Sequence, residues 1–267
     1  MNSILLVIIG DKHNLRSSSL SKLTREPEWN GRIHFVKPVI LEKRAVPWIL
    51  DWYCRLHYGT RLTLGEWGSS LAHRKAQSLA ANLESEWVFF MEDDAVIDSR
   101  FNNRIRSLSA NLNSIDTTFA AIQCFGDREM TPPTQTVLYP QQLRAVPFHE
   151  ISGGVGYLLH KSTLTLCNKV SYLGHPIGKS DFPAWSHLAT WWQVSNPFVY
   201  HDETLESLVG DRMKASAPRG FGFKVGHALI RAALSLSPLV PIPRRASWEL
   251  GQLFDRFRAR FINRLKS

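Results

Sequence analysis

The sequence predicts an α/β fold in which helices flank a mostly parallel central sheet. Two runs, residues 4–10 and 87–91, are apolar without alternation, as strands covered on both faces are. Along the first two hundred residues, short apolar runs alternate with amphipathic stretches, which is typical of strands joined by crossover helices. The chain has 267 residues, of which 44% are hydrophobic, so it can bury a sizeable core.

The individual elements follow from the same patterns. The strand candidates, in chain order, are residues 4–10, 33–39, 87–91, 119–124, 143–148, 155–160 and 197–201. The helix candidates are residues 14–24, 46–58, 66–84, 100–112, 161–170 and 183–193. The third helix has a readable start, because Thr63 and Glu66 have the spacing of a capping box, in which each side chain binds an orphan backbone N–H.

The charge of the chain is unevenly distributed and predicts two parts. The formal net charge is +9, and residues 212–267 alone contain twelve Lys or Arg residues and two acids. After Arg212 the composition shifts to Pro, Gly, Ser and Arg, which favours a boundary there. We therefore expect a nearly neutral domain over residues 1–211 and a basic extension over residues 212–267.

The end of this extension has the pattern of a basic amphipathic helix. Its apolar residues fall on one helical arc: Leu250, Leu253, Phe254, Phe257, Phe261 and Leu265. Arg256, Arg260 and Arg264 line one edge of the arc, and Arg258 lines the other. Such a helix can lie in the interface of an anionic membrane, with its rings inserted and its guanidinium groups on lipid phosphates. Alternatively, it packs on the protein's own body with the basic edge solvated.

Other features disfavour several classes of protein. Cys54, Cys124 and Cys167 form no C-x-x-C pair, so neither a disulfide framework nor a zinc motif is supported, and a reducing compartment is the default. No run reaches the ~18 apolar residues that a membrane span requires. The N-terminus has neither the basic region nor the cleavage site of a signal peptide. We expect a soluble or peripheral protein.

The most informative stretch is WVFFMEDDAV, residues 87–96, in which three acids follow an apolar strand. Glu92, Asp93 and Asp94 would repel one another unless something positive lay among them. Ligands of an open parallel sheet bind at the carboxyl ends of its strands, and Mg²⁺ or Mn²⁺ takes oxygen ligands together with substrate phosphates. The pattern favours a divalent cation and a diphosphate. The alternative is a solvated acidic turn that caps the next helix.

Three further stretches contain candidate site residues. Gly153, Gly154 and Gly156 precede a strand and permit close backbone approach to a ligand, although a bulge alone would explain them. Asp181 lies in a loop before a Pro-initiated helix, where it suits either a helix cap or a catalytic carboxylate. His201 ends a strand, where it either contacts a metal or a phosphate or is simply a strand-end histidine.

In their order along the chain, these motifs resemble those of glycosyltransferase family 25, lipopolysaccharide-type galactosyltransferases with a GT-A fold. The resemblance covers residues 60–212 and rests on RLTLGEWGSSLAHRKA, WVFFMEDDAVI, SGGVGYLLHKS, HPIGKSDFPAW and PFVYHDETLESLVGDR. It implies transfer of a sugar, galactose from UDP-galactose, onto a lipid-linked glycan such as lipopolysaccharide. It also implies Mn²⁺ or Mg²⁺ as the cofactor.

The resemblance implies roles for the acids and the histidine. Glu92, Asp93 and Asp94 look like the family's metal-binding motif, and His201 looks like the histidine that completes the metal or diphosphate site. Asp181 sits where such enzymes place the catalytic base of an inverting transfer. Because the acids depart from a strict D-x-D pattern, the two that contact the metal stay undetermined.

The remaining implied roles concern binding of the nucleotide sugar. Gly153, Gly154 and Gly156 are similar to the glycine-rich loop that lies beside donor and acceptor. Glu66 and His73 fall on the family's G-E-x-G…H motif and are assigned to the same binding site.

Two other functions stay open at this point. A nucleic-acid phosphodiesterase would also combine acids and basic residues, but the basic residues accompany phenylalanines, and no nucleic-acid module is visible. A non-catalytic peripheral membrane protein that binds a sugar nucleotide is the third hypothesis. The enzyme hypothesis places the protein in the cytoplasm, peripheral on the inner face of the cytoplasmic membrane. Its partners are a nucleotide sugar, a lipid-linked glycan and the anionic surface, with no nucleic acid.

Overall fold

The computed structural model describes residues 4–42, 63–126, 142–146, 151, 154–172 and 189–201, with side chains as far as residue 168 in the fifth range. Several predictions lie outside the described residues. They concern the helix at residues 46–58, the glycine at position 153, Asp181 as the predicted catalytic base and the extension over residues 212–267. The fold below is that of the described residues.

The described residues form strands and helices that alternate along the chain. The strands are β1 Ile4–Ile9, β2 Ile33–Val36, β3 Trp87–Glu92, β4 Ala95–Ile97, β5 Ala120–Gln123, β6 Leu143–Ala145, β7 Gly156–His160, β8 Thr190–Val194 and β9 Val199–His201. The helices are α1 Ser18–Leu23, α2 Leu64–Ala81, α3 Phe101–Asn111 and α4 Lys161–Tyr172, with 3-10 turns at Pro27–Trp29 and Leu112–Ser114. No helix in these ranges has the length and apolar character needed to cross a membrane.

The central sheet is mostly parallel, which confirms the predicted α/β fold class. Its strand order is β2-β1-β3-β7-β5-β8-β6, and β4 and β9 form a separate two-stranded sheet. Strands β2, β1, β3, β5 and β8 run in one direction, whereas β7 and β6 run in the other. The carboxyl ends of β1, β3 and β5 therefore lie along one edge of the sheet.

Both faces of the central sheet are covered by helices. Phe89 and Met91 point to the face on which α1 and α3 pack, and Val88 and Phe90 point to the opposite face, under α2 and α4. All four of these side chains are fully buried. This two-sided burial explains why β3 is apolar without alternation.

Helix α2 begins and packs as its sequence dictates. The Thr63 hydroxyl accepts from the Glu66 N–H and the Glu66 carboxylate accepts from the Thr63 N–H, which confirms the capping box. A side chain at Gly68 would meet the Val39 carbonyl oxygen at 2.2 Å, so only glycine permits this close approach. The buried alanines of α2 are spaced one turn apart and pack against the sheet: Ala72, Ala76 and Ala80.

The helix predicted over residues 183–193 is wrong where the structure describes it. Residues 190–194 form β8, parallel to β5, with Ala120 opposite Thr190. Thr190, Trp191 and Trp192 are β-branched or aromatic and favour a pleated strand. Strand β4 was not predicted, because its three residues follow directly on the acids at the end of β3.

Candidate functional site

Strand β3 brings its acids to the carboxyl edge of the sheet and directs them apart. Glu92 lies opposite Ile9 in the parallel register, and the Asp93 N–H donates to the Ile9 carbonyl at 3.1 Å. Because successive side chains of a strand alternate, Glu92 faces α2 whereas Asp93 faces the α1 side. Within the described ranges, no three His, Cys, Asp or Glu side chains are grouped so as to hold a metal ion.

The positive group among the acids is the guanidinium of Arg16. Asp93 Oδ1 accepts from Arg16 Nε at 2.9 Å and from Nη2 at 2.6 Å, and Asp94 Oδ2 accepts from Nη2 at 2.9 Å. Burial lowers the pKa of Arg16, but the hydrogen bond to Asp93 and the charges of Asp94, Asp93 and Glu92 raise it overall. The guanidinium therefore stays charged and offsets part of the repulsion.

Sequence reasoning did not identify Arg16 as a site residue. A signal was available, because the loop after β1 must leave the sheet at the edge where β3 delivers its acids. The Asn-Leu-Arg stretch at residues 14–16 lies in that loop. Its partner Asp93 is far along the chain, so no local pattern joins the two.

The small sheet brings His201 to Asp94. Ala95 of β4 lies opposite His201 of β9, and His201 Nε2 is 3.4 Å from Asp94 Oδ2. Asp94 is only 4% exposed, and its Oδ1 has no hydrogen-bond partner among the described residues. Burial and then the charge of Glu92 raise the pKa of Asp94, while Arg16 and His201 lower it. A buried carboxylate oxygen without a partner is costly unless a ligand satisfies it.

Glu92 belongs to a buried polar chain beneath the sheet edge. His73 Nε2 is 2.9 Å from Glu92 Oε1, His73 Nδ1 is 2.7 Å from the Tyr157 hydroxyl, and Gln77 Nε2 donates to that hydroxyl at 3.2 Å. An ionised carboxylate only accepts, so Nε2 carries the hydrogen and the Tyr157 hydroxyl donates to Nδ1. Burial raises the pKa of Tyr157 far above its usual range, so the hydroxyl keeps its proton. His73 thus fixes the orientation of the Glu92 carboxylate.

Glycines at this edge allow backbone segments to approach closely. A side chain at Gly10 would meet Asp93 Cβ at 2.4 Å, and one at Gly156 would meet Val199 Cγ1 at 2.6 Å. Neither Gly154 nor Gly156 has a positive φ. The packing against Val199 accounts for Gly156 structurally, and a contact of Gly154 or Gly156 with the nucleotide sugar stays a prediction.

The structure thus brings together most of the described site residues and separates one of them. Four predicted residues meet at the carboxyl ends of β3 and β9 with Arg16 beside them, namely Glu92, Asp93, Asp94 and His201. His73 joins this group through Glu92. Glu66 lies instead at the start of α2, where it caps the helix, and its predicted role in binding the nucleotide sugar is untested.

The residues present fit a divalent cation held by two protein ligands. Asp94 offers a buried oxygen without a partner in the described part of the chain, and His201 lies beside the same carboxylate. Mg²⁺ and Mn²⁺ are usually held by one or two protein groups, with water and substrate phosphates completing the shell. Glu92, Asp93 and Asp94 all have protein partners, and which of the predicted ligands Glu92, Asp93, Asp94 and His201 contact a metal stays a prediction.

No protein-family model matches the chain, and no curated protein matches it significantly. Among solved structures, the chain is similar to S. aureus TarS in complex with UDP-GlcNAc, with a TM-score of 0.48, 11% identity, and coverage of 91% of this chain and 69% of that one. Mannose-1-phosphate geranyltransferase from Thermus thermophilus gives a TM-score of 0.38, 14% identity and coverages of 74% and 75%.

A third similar structure is a glycosyltransferase involved in glycosylation of the major capsid of PBCV-1. Its TM-score is 0.38 at 9% identity, with coverage of 80% of this chain and 99% of that one. Because all three TM-scores lie below 0.5, the function of this protein has to be argued from its own residues.

Proposed function

We propose that the protein is a metal-dependent, inverting glycosyltransferase that moves a sugar from a nucleotide sugar onto a lipid-linked glycan. The observation that carries the proposal is the buried Oδ1 of Asp94, which has no hydrogen-bond partner among the described residues, on a carboxylate whose other oxygen, Oδ2, is 3.4 Å from His201 Nε2 at the carboxyl edge of the sheet. This edge is where open α/β sheets bind their ligands. UDP-galactose and lipopolysaccharide are the donor and acceptor that the resemblance to family 25 suggests.

Asp94 and His201 would hold Mn²⁺ or Mg²⁺ beside the diphosphate of the donor. Bound there, the cation supplies Lewis-acid stabilisation of the charge that develops on the leaving nucleoside diphosphate. Glu92, held by His73, presents a fixed carboxylate at the same edge, and the backbone at Gly154 and Gly156 lines the approach that we assign to the sugar. Preorganised groups of this kind stabilise a transition state without reorganising during the reaction.

We assign the role of general base to Asp181, on the sequence motif alone. The acceptor hydroxyl oxygen bonds to the anomeric carbon as the bond from that carbon to the diphosphate oxygen breaks. The hydroxyl proton passes to the Asp181 carboxylate, and the nucleoside diphosphate leaves with the bonding electron pair. A single displacement of this kind inverts the anomeric centre, and the base contributes typically 10²–10⁴ in rate.

The basic extension supplies the proposed location. Residues 212–267 lie outside the described residues, and their sequence pattern is that of an interfacial helix. Binding to the inner face of the cytoplasmic membrane would bring the site to a lipid-linked acceptor. Each basic residue near an anionic surface contributes roughly 1 kcal/mol, so a few of them suffice for binding.

The proposed function is tested by thermal unfolding with sugar nucleotides, each with Mn²⁺ and with chelator. We expect a UDP-sugar to raise the melting temperature only when Mn²⁺ is present, because a ligand that binds the folded state alone stabilises it. Asp94→Asn should lose this stabilisation. The matched control is Asp116→Asn, whose carboxylate accepts from the Thr118 N–H at an exposed turn.

Two results of this experiment would change the conclusion. If no sugar nucleotide stabilised the protein in a metal-dependent way, the proposed function would be wrong. Metal-dependent binding of a donor without any turnover in the presence of lipid-linked glycans would support the non-catalytic hypothesis instead.

A further inference from the structure

We infer that Arg16 is a built-in counter-ion that competes with the divalent cation for Asp94, so that the cation is held firmly only together with a diphosphate. This inference rests on the proposed function, because it concerns the regulation of the same site. The observation behind it is that one carboxylate, that of Asp94, is shared by a guanidinium and by the proposed metal position.

The two oxygens of Asp94 differ in their partners, and the proposed cation would be held at the oxygen that Arg16 does not bind. Arg16 Nη2 donates to Asp94 Oδ2 at 2.9 Å, whereas Asp94 Oδ1 is buried and accepts no hydrogen bond from the residues that the structure describes. A cation on Oδ1 is separated from the guanidinium by the width of one carboxylate group. Like charges this close repel strongly where water is largely excluded, and the side chain of Asp94 is only 6% exposed.

Arg16 cannot simply withdraw when a cation arrives. Its guanidinium makes two hydrogen bonds to Asp93 Oδ1, and the neighbouring Ser17 N–H donates to the Asp93 carbonyl at 2.9 Å. Ser17 also caps α1 through its hydroxyl. Asp93 in turn lies against Gly10, where no larger residue would fit. The loop, the helix start and the strand end thus fix the guanidinium in place.

A diphosphate removes the repulsion that the two cations produce. The Arg16 side chain is 22% exposed at the sheet edge. Phosphate oxygens at that position can contact both the guanidinium and the cation. By linkage, a diphosphate that strengthens cation binding is itself bound more tightly when the cation is present. The protein would therefore take up the cation and the nucleotide together.

The test is a Mn²⁺ titration by calorimetry on the full chain, without nucleotide, comparing the wild type with Arg16→Gln. We expect Arg16→Gln to bind Mn²⁺ at least about tenfold more tightly, equivalent to about 1.4 kcal/mol, because the competing charge is gone. The matched control is Arg106→Gln. Arg106 lies on α3 and forms an exposed ion pair with Glu28, so its loss should leave the Mn²⁺ affinity unchanged. Arg16→Lys keeps the positive charge but loses the planar guanidinium group, so its Mn²⁺ affinity should lie between those of the wild type and Arg16→Gln.

A second experiment uses only the wild-type protein, so its result does not depend on whether a variant folds. Equilibrium dialysis measures Mn²⁺ retained by the protein with and without saturating UDP, and we expect UDP to raise the Mn²⁺ affinity at least about tenfold. The inference is overturned if Arg16→Gln binds Mn²⁺ no more tightly than the wild type, or if UDP leaves the wild-type affinity unchanged. Failure of the proposed function would give a different result, namely no sugar transfer and no rise of the melting temperature with a sugar nucleotide.

Discussion

At the scale of single residues, one guanidinium lets three acids stand side by side at the end of β3. Arg16 binds Asp93 and Asp94 together, and Glu92 turns away to His73. Buried carboxylates without partners would cost several kcal/mol each, which is why such groups are paired or bind a ligand. Within the described part of the chain, Asp94 Oδ1 is a buried oxygen without a hydrogen-bond partner, and this oxygen is where chemistry is expected.

The hydroxyl of Tyr157 allows a prediction about the chain of hydrogen bonds behind Glu92. Tyr157→Phe should lower the free energy of unfolding by about 1–3 kcal/mol, because it leaves the buried Gln77 Nε2 and His73 Nδ1 unpaired. Tyr200→Phe is the matched control, since that half-buried hydroxyl donates to one acceptor, the Pro197 carbonyl, and should cost about 1 kcal/mol or less. Urea unfolding measures both variants. Equal losses would contradict the hydrogen-bonded chain.

The assignment of Asp181 as the base is also a residue-scale prediction. Asp181→Asn should bind the donor normally and lose about 10²–10⁴ in turnover, because proton removal from the acceptor is lost while the donor contacts remain. Donor binding is measured by calorimetry and turnover by release of the nucleoside diphosphate. Normal binding with wild-type turnover would reject the assignment.

Local sequence predicted part of this site and left out the rest for a physical reason. The end of an apolar strand identified Glu92, Asp93 and Asp94, and the end of a later strand identified His201. Arg16 was missed because its partner Asp93 lies 77 positions away, and such a contact appears only once β1 and β3 are known to be neighbours. The sequence did not show that Glu92 and Asp93 face opposite sides of the sheet, because that alternation depends on where β3 ends.

At the scale of elements, strands with continuous apolar runs were predictable, whereas β4 and β8 were not. Strands β1 and β3 are covered on both faces, and their continuous apolar sequences reflect this burial. Residues 190–194 contain two tryptophans whose spacing suits either a helix or a strand, and the pairing with β5 decides between them. Tertiary context overrode local pattern at this position.

The contact between β7 and β9 yields a prediction about packing. Gly156→Ala should destabilise the protein by about 1–3 kcal/mol, because the added methyl would overlap Val199 Cγ1. Val199→Ala in the same chain removes the Cγ1 and Cγ2 contacts but keeps the one to Cβ at 2.8 Å, so the double variant should recover part of the loss and be more stable than the sum of the single effects predicts. A double-mutant cycle by urea unfolding measures the coupling. Additive changes in the free energy of unfolding would show that residues 156 and 199 are not energetically coupled.

The junction of β7 and α4 yields a prediction about pH. His160 Nδ1 lies 3.2 Å from the Ser162 nitrogen and 2.8 Å from the Ser162 hydroxyl oxygen, in a half-buried position. Burial lowers the pKa of His160, although Glu86 and Thr117 act in the opposite direction. Because the folded pKa lies below the unfolded value of about 6.5, the stability from neutral His160 is complete above that value and is lost as the pH falls through the folded pKa.

Replacement of this histidine should therefore flatten the acid side of the stability curve. We expect His160→Asn to reduce the loss of unfolding free energy between about pH 7 and pH 5, since asparagine offers an acceptor that does not titrate. Urea unfolding at several pH values measures the slope. An unchanged slope would show that His160 does not control it.

At the scale of the whole molecule, the charge is divided between a nearly neutral body and a basic extension. The sequence shows this division directly, because charge counting needs no knowledge of the fold.

Reversal of four arginines tests the proposed contact with a membrane. Replacement of Arg256, Arg258, Arg260 and Arg264 by Glu should weaken binding to phosphatidylglycerol vesicles by roughly a thousandfold or more, since each basic residue contributes roughly 1 kcal/mol. Activity on a soluble acceptor should persist. Vesicle sedimentation measures binding, with neutral vesicles as the control. Undiminished binding to anionic vesicles would overturn the proposal.

The pairing of β4 with β9 has a consequence for synthesis on the ribosome. Asp94 emerges early, whereas His201 comes from the last strand of the described chain and reaches it only through that pairing. Since chains emerge from the N-terminus at roughly 5–20 residues per second, a nascent chain would hold Arg16 against its acids for several seconds before the histidine arrived. Under the proposed function, a cation could be held by Asp94 and His201 together only after residue 201 had emerged.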